Sequence, residues 1–277
     1  MRLTIRHETT YRFETPAASV IQTLRLWPRG HDGQHVVRWR LDVDRNCRLR
    51  AAEDAFGNQT HVFAAEGPLD ELTVLVEGEV DTQDNAGVVA RAAERFPPSL
   101  YLRETPLTAH DQEISAFAED VRSSAGDGEL AALHGLLDRL HAEIAFAPGL
   151  PDGVTTAAEA FRVKRGGAQD LTHVFLTAAR RLRIPARYVS GYVRREGCAS
   201  QDSMHGWAEA YVPHLGWVGF DPAEGACPTE SHVRVAIGLD YLGAAPVRGS
   251  RYGGSGETLE MAVLVEDARA SRSYRRS

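Results

Sequence analysis

The apolar residues of this chain change their period part-way along it, and that change limits what the chain can fold into. From Leu3 to Val80 they alternate with polar ones: Leu3, Ile5 and His7 lie on one side of Thr4, Arg6 and Glu8, and Val37, Trp39, Leu41 and Val43 repeat the rhythm. Period two is the signature of half-buried strands, and the turn signals Arg29-Gly30, Asp32-Gly33, Gly57-Asn58 and Gly67-Pro68 cut the run into antiparallel pieces. Near Thr108 the period becomes helical. Thr108 is expected to cap a helix carrying Ile114, Phe117 and Val121, and Leu130, Leu133, Leu136, Leu137, Leu140 and Ile144 mark a longer one. Thr156 and Glu159 have capping-box spacing for a third. A fourth runs from about Gly167 through Leu171, Val174, Phe175, Ala178 and Leu182 and stops at Ile184-Pro185. Short β-rich runs follow at Ala186 to Val193, His205 to Val212 and Trp217 to Phe220.

Helices followed by strands behind a β-rich beginning read as α+β. The expected division is an antiparallel β domain over residues 1–82, a linker or crossing segment over 83–107 and an α+β core over 108–250. A C-terminal strand and an Arg-rich tail expected to be disordered complete the chain at 251–277. The length of 277 residues and 43% hydrophobic content allow a core for two such units.

Charge and cysteine content exclude several functions. With 31 basic and 38 acidic residues the net charge is −7, which argues against a generally basic nucleic-acid surface. Cys47, Cys198 and Cys227 are far apart and form no C-x-x-C pair, which argues against a zinc ribbon or a disulfide framework and favours a reducing compartment. No signal-peptide h-region and no apolar run of about 18 residues is visible, so the expectation is a cytoplasmic protein without a membrane partner. No metal or cofactor is expected. His31 and His35 flank a turn rather than ride a helix, and His134 and His141 are too far apart on one helix to share an ion.

Chemistry points to His205. In the run H-G-W-A-E-A-Y, alternation puts His205, Trp207, Glu209 and Tyr211 on one face, and Asp221 ends the next apolar run, where an adjacent strand can bring it to the imidazole. The bland reading is a structural His and Asp. Trp207 and Tyr211 are either packing or a peptide-binding surface. A nucleophile serving His205 would sit at a helix N-terminus, where the dipole favours thiolate and free N–H groups bind an oxyanion. The fourth helix opens Gly166-Gly167-Ala168-Gln169-Asp170, so that place holds Ala168, which has no nucleophile.

The stretch GGAQDLTHVFLTAARRLRIPARYVSGYV, followed by HGWAEAYVPHLGWVGFDPAEG, strongly resembles the core of bacterial transglutaminase-like proteins, relatives of papain-fold cysteine enzymes. HETTYRFETPAASVIQTLRLWPR and EDAFGNQTHVFAAEGPLDELTVLVEGEV look like the β domain that precedes that core, and ESHVRVAIGLDYLGAAPVRG like the segment that follows it. The resemblance implies a papain-like core in which a Cys-His-Asp triad transfers acyl groups through a thioester. His205 matches the base, Asp221 its orienting carboxylate and Ala168 the nucleophile position, while Gly167, Gln169 and Trp207 are candidate substrate contacts. Phe146, Pro151 and Leu239 also depart from the family pattern, each replacing a polar group by an apolar one. That clustering favours natural loss of the nucleophile over an engineered Cys replacement. Cys198 and Cys227 read as ordinary loop cysteines. The expected function is a catalytically silent transglutaminase-like protein that binds a peptide or protein partner or supports an active enzyme. The alternative is a thiol acyl-transfer enzyme, either because Ala168 is engineered or because another residue supplies the nucleophile. Oligomeric state and substrate stay open.

Overall fold

The computed structural model describes residues 1–147, 155–197 and 200–268. Its strands are β1 (Arg2–Trp27), β2 (Gln34–Val43), β3 (Arg50–Glu53), β4 (Gln59–Thr82), β5 (Val88–Val89), β6 (Ala145–Phe146), β7 (Arg165–Gly166), β8 (Ala186–Val193), β9 (Ser200–Gln201), β10 (His205–Val212), β11 (Gly216–Phe220), β12 (His232–Gly238), β13 (Val247–Tyr252) and β14 (Ser255–Asp267). Its helices are α1 (Gln112–Ser124), α2 (Glu129–Glu143), α3 (Ala157–Val163), α4 (Ala168–Arg181) and α5 (Tyr241–Ala244). The sheet-rich α+β architecture agrees with the class expected from the change of period. Pro151, Cys198 and the expected tail over 269–277 lie outside the described residues.

β1 and β4 are the long members of the first sheet, paired antiparallel from Arg2↔Asp81 to Trp27↔Gln59. Alternation aims Leu24, Leu26, Phe63, Leu72, Val74 and Val76 into one apolar cluster. The sheet is not made from the first 82 residues alone. β13 and β14 return to pair with β1, with Leu3↔Asp267 at one end and Leu24↔Val247 at the other.

The second sheet is antiparallel in the order β12-β8-β10-β11-β5, so Val88 and Val89, expected in the linker, contribute its last strand. α4 lies across it, with every side chain from Gln169 to Arg180 buried, as befits a helix enclosed on all sides. Arg180 is held by the carbonyls of Tyr101, Ala186 and Leu239 and by the Thr108 hydroxyl. That explains one misplaced cap: Thr108 is committed to Arg180, and α1 is capped by Asp111, whose carboxylate accepts from the Ile114 N–H at 3.0 Å. The capping box of Thr156 and Glu159 starts α3 as expected. Leu3, Ile5, Val80, Val263 and Val265 of the first sheet share one cluster with the helices, so the two layers pack as one body.

Two histidines inside this packing predict an acid response. His7, hydrogen-bonded to the Tyr192 and Thr9 hydroxyls, and His173 on α4 are each pushed down to about 4 by burial from the ordinary 6.5. The unfolded chain takes up these protons as pH falls past 6.5, whereas the folded chain does so only near 4. Their stabilisation is therefore complete above about pH 6.5 and lost on descending to about 4, at about 1.4 kcal/mol per unit for each ring. Urea unfolding between pH 7 and pH 4 is expected to show stability falling, with these two rings contributing a slope that approaches two protons near pH 5. A flat profile would show that these rings are protonated in the fold.

Candidate active site

Helix α4 begins at Ala168, behind the N-cap Gly167. The Asp170 carboxylate accepts from the Gly167 N–H at 2.9 Å and closes the first turn. A Cβ on Gly166 would stand 2.6 Å from that of Asp170, so this glycine is required by the helix cap rather than by an approaching ligand. A Cβ on Gly167 would meet only ordinary contacts, Ala147 O and Asp170 Oδ2 each at 3.8 Å.

Ala168 lines an open groove of about 1200 Å³ together with Phe146, Arg195, Met204, His205 and Met261. His205 opens β10, and on the following residue a Cβ would run into the Tyr188 hydroxyl, so Gly206 lets strand and tyrosine close up behind the imidazole. An adjoining cavity of about 410 Å³, between Tyr188, Ser190 and Tyr241, is lined by His205 and by Gln169, whose buried Oε1 has no hydrogen-bond partner among the described residues.

The structure brings His205 and Asp221 together. His205 Nε2 lies 2.5 Å from Asp221 Oδ2, and the carboxylate is wholly buried. Asp221 Oδ1 accepts from the Ala223 and Glu224 N–H groups, both at 3.1 Å. Burial alone would raise this carboxyl, but the imidazoles of His205 and His232 outweigh it and hold it well below the usual carboxylate range.

His232 went unnoticed in the sequence. It starts β12, two strands from β10 through β8, and its Nε2 lies 3.2 Å from the same Asp221 Oδ2. His205, Asp221 and His232 are the one group among the described residues whose donor atoms are close enough to suggest a metal ion. Their hydrogen bonds speak against one. The Thr229 N–H donates to His232 Nδ1 at 3.1 Å, and an Arg195 N–H reaches His205 Nδ1 at 3.3 Å. Both Nδ1 atoms are thus acceptors and both Nε2 atoms carry the proton, whereas a metal on Nε2 needs the lone pair there.

Arg195 is the second residue missed. Its guanidinium stands over His205 Nδ1 from the groove side and is held by Glu224 Oε1 and Gln201 Oε1, each at 2.9 Å. Trp207 stands elsewhere than expected for a groove contact. It is buried with Tyr101, Val189, Trp217 and Ile237, and it faces a separate cleft of about 440 Å³ shared with Glu209, His232 and Arg234. The expected polar face of β10 is spent inside the protein, because Glu209 is paired to Arg187 and Arg234. Leu239 packs against the Trp207 cluster and is not part of the groove. Among the described residues no cysteine lines the groove, and Cys47 and Cys227 are both pushed up by burial.

Residues 3–81 match the bacterial transglutaminase-like N-terminal region and residues 115–222 the transglutaminase-like superfamily. An uncharacterised protein of Mycobacterium leprae is 27% identical over 97% of this chain and 99% of its own length. An uncharacterised protein of Mycobacterium tuberculosis is 25% identical over 91% of this chain and 88% of its own. Among solved structures, a candidate cysteine protease from Cytophaga hutchinsonii shares the fold with a TM-score of 0.75 at 19% identity, covering 96% of this chain and 92% of that one.

Proposed function

Taking as premise that the chain joins a bacterial transglutaminase-like N-terminal region to a transglutaminase-like core, we propose that it is a catalytically silent member of that superfamily whose groove binds a peptide or protein partner. The observation that carries the reading is the methyl group of Ala168 at the start of α4, in the groove that His205 also lines. Acyl transfer through a thioester needs an electron pair from sulfur at that point, with His205 taking the thiol proton and Asp221 steadying the imidazolium. A methyl group supplies neither electron pair nor proton. The groove, the first turn of α4 and the histidine remain, and these suffice to hold an extended peptide without cleaving it. The partner is a protein or peptide; a net charge of −7 argues against nucleic acid. Among the described residues no helix is long and apolar enough to cross a membrane. We place the protein in the cytoplasm on the ground of its scattered cysteines.

The retained His205–Asp221 contact favours the second reading, a working thiol enzyme with its nucleophile elsewhere. One experiment separates them. Incubated with a glutamine peptide and an amine, the protein is expected to give no ammonia release, transamidation or peptide cleavage above a His205→Ala control, because loss of the covalent route costs several orders of magnitude. Iodoacetamide-sensitive turnover abolished by Cys198→Ser or Cys227→Ser would overturn the silent reading and identify the nucleophile.

A further inference from the structure

The Asp221 carboxylate is saturated. An ionised carboxylate offers about four lone-pair positions, and here two backbone N–H groups occupy Oδ1 while the Nε2 atoms of His205 and His232 share Oδ2. Each imidazole is held at its Nδ1, His232 by the backbone N–H of Thr229 and His205 by Arg195, which Glu224 and Gln201 hold in turn. Trp207 fills the angle between the two rings, edge-on to His232 with centroids 5.4 Å apart and 6.1 Å from His205.

We infer that His232 is a positioning residue: by donating to Asp221 Oδ2 alongside His205 it fixes the carboxylate, and through it the tautomer of His205, so that Nδ1 of His205 is kept as the acceptor nitrogen, the one that Arg195 meets. Without His232 one lone pair of Oδ2 is buried and unfilled. The carboxylate then gains by turning toward the cleft that His232 lines, and a carboxylate that turns releases His205 Nε2. The inference rests on the hydrogen bonds around Asp221 and holds whether or not the protein turns over a substrate. It goes beyond a simple two-residue pair by making the site a His–Asp–His unit with a wall in each of two clefts, the groove at Ala168 and the cleft behind Trp207.

The test uses the unaltered protein first. Long-range ¹⁵N–¹H spectra of histidine-labelled protein near neutral pH should show both His205 and His232 as Nε2–H tautomers with unprotonated Nδ1. A Nδ1–H tautomer at His232 would overturn the inference without any substitution. Two variants follow. His232→Leu removes the donor and should leave His205 a mixture of tautomers with a rapidly exchanging ring proton, whereas His232→Gln keeps an N–H donor and should preserve a single Nε2–H tautomer. Carried into an Ala168→Cys background, His232→Leu should slow alkylation of the new thiol by about tenfold, as expected for a misplaced base, while His232→Gln stays near the parent rate. A folded His232→Leu protein that keeps one His205 tautomer and the parent alkylation rate would show that His232 merely fills space.

Discussion

Ala168→Cys is expected to give a thiol that iodoacetamide alkylates at pH 7 about ten times faster than Cys47, Cys198 or Cys227, since a fall in thiol pKa from about 8.5 to about 7 raises the thiolate fraction from a few per cent to about half. Three features act together. The new side chain stands on the first residue of a 14-residue helix, whose N–H groups favour negative charge. The His205 Nδ1 lone pair accepts from the Arg195 guanidinium at 3.3 Å, and once that guanidinium gives way the same lone pair can take the thiol proton. Cys47 and Cys227, by contrast, are both held in the thiol form by burial. Adding His205→Ala should remove the advantage, and mass spectrometry of partially alkylated protein reads out each cysteine separately. Equal labelling of all four thiols in a folded protein would mean that the His205 geometry does not serve position 168. Hydrolysis or transamidation is not expected to recover in step with this reactivity, because Phe146 puts an apolar side chain in the groove wall where the family pattern has a polar one.

The second large effect concerns stability. Glu209, with no exposed surface, accepts from Arg187 Nε at 2.7 Å and from Arg234 Nε at 2.7 Å. Arg187 is equally buried, lies 3.8 Å over the Trp217 ring and makes a further pair of bonds with Glu94. Burial alone would raise Glu209, yet the two guanidinium groups outweigh it and hold the carboxyl at about 2. Glu209→Ala leaves Arg187 and Arg234 facing each other without the buried carboxylate that pairs both, and breaking a buried pair in this way costs about 3–5 kcal/mol. Urea denaturation at pH 7 should show that loss. Glu94→Ala should cost about 1 kcal/mol or less, because Glu94 is one-third exposed and water can replace it. Equal and small effects of the two variants would mean that solvent reaches the network. Replacing Arg187, Glu209 and Arg234 together by apolar residues of similar volume should recover much of the loss.

Particular residues show where the sequence was sufficient and where it was not. Period-two alternation along β10 set His205 apart from the alanine face that packs on α4, and the end of the next apolar run located Asp221, because antiparallel neighbours in sequence are neighbours in space. The start of α4 at Ala168 followed from Gly167 and the helical spacing of Leu171, Val174 and Phe175. His232 was illegible for a topological reason. Its strand lies on the far side of β8, and no local pattern tells which strand a run joins. Arg195 belongs to a loop whose path depends on tertiary contacts with Glu224 and Gln201. Trp207 and Glu209 share a face as alternation predicts, and of the two readings open for Trp207 the structure shows packing with Tyr101, Val189, Trp217 and Ile237 beside a cleft. Alternation reports which residues point together, not whether another layer covers them, and Arg187 and Arg234 cover Glu209. Thr108 and Asp111 both satisfy the chemistry of an N-cap, and only the demand of Arg180 for a hydroxyl acceptor decides between them.

The return of β13 and β14 to β1 bears on how the protein is made. Leu3 pairs with Asp267, so the contacts that finish the first sheet close a loop of nearly the whole chain. During synthesis β1 can pair with β4 as soon as residue 82 has left the ribosome, but its other edge stays bare until residues 247–267 have emerged. At about 5–20 residues per second that is an interval of roughly ten seconds or more, with a 26-residue strand exposing unpaired N–H and C=O groups. The nascent chain is therefore most vulnerable to association with other chains through β1 while the groove-bearing core is being translated. Chains that stop short of residue 247 keep that edge of β1 unpaired for good, so the first sheet is completed only by the last strands of the chain.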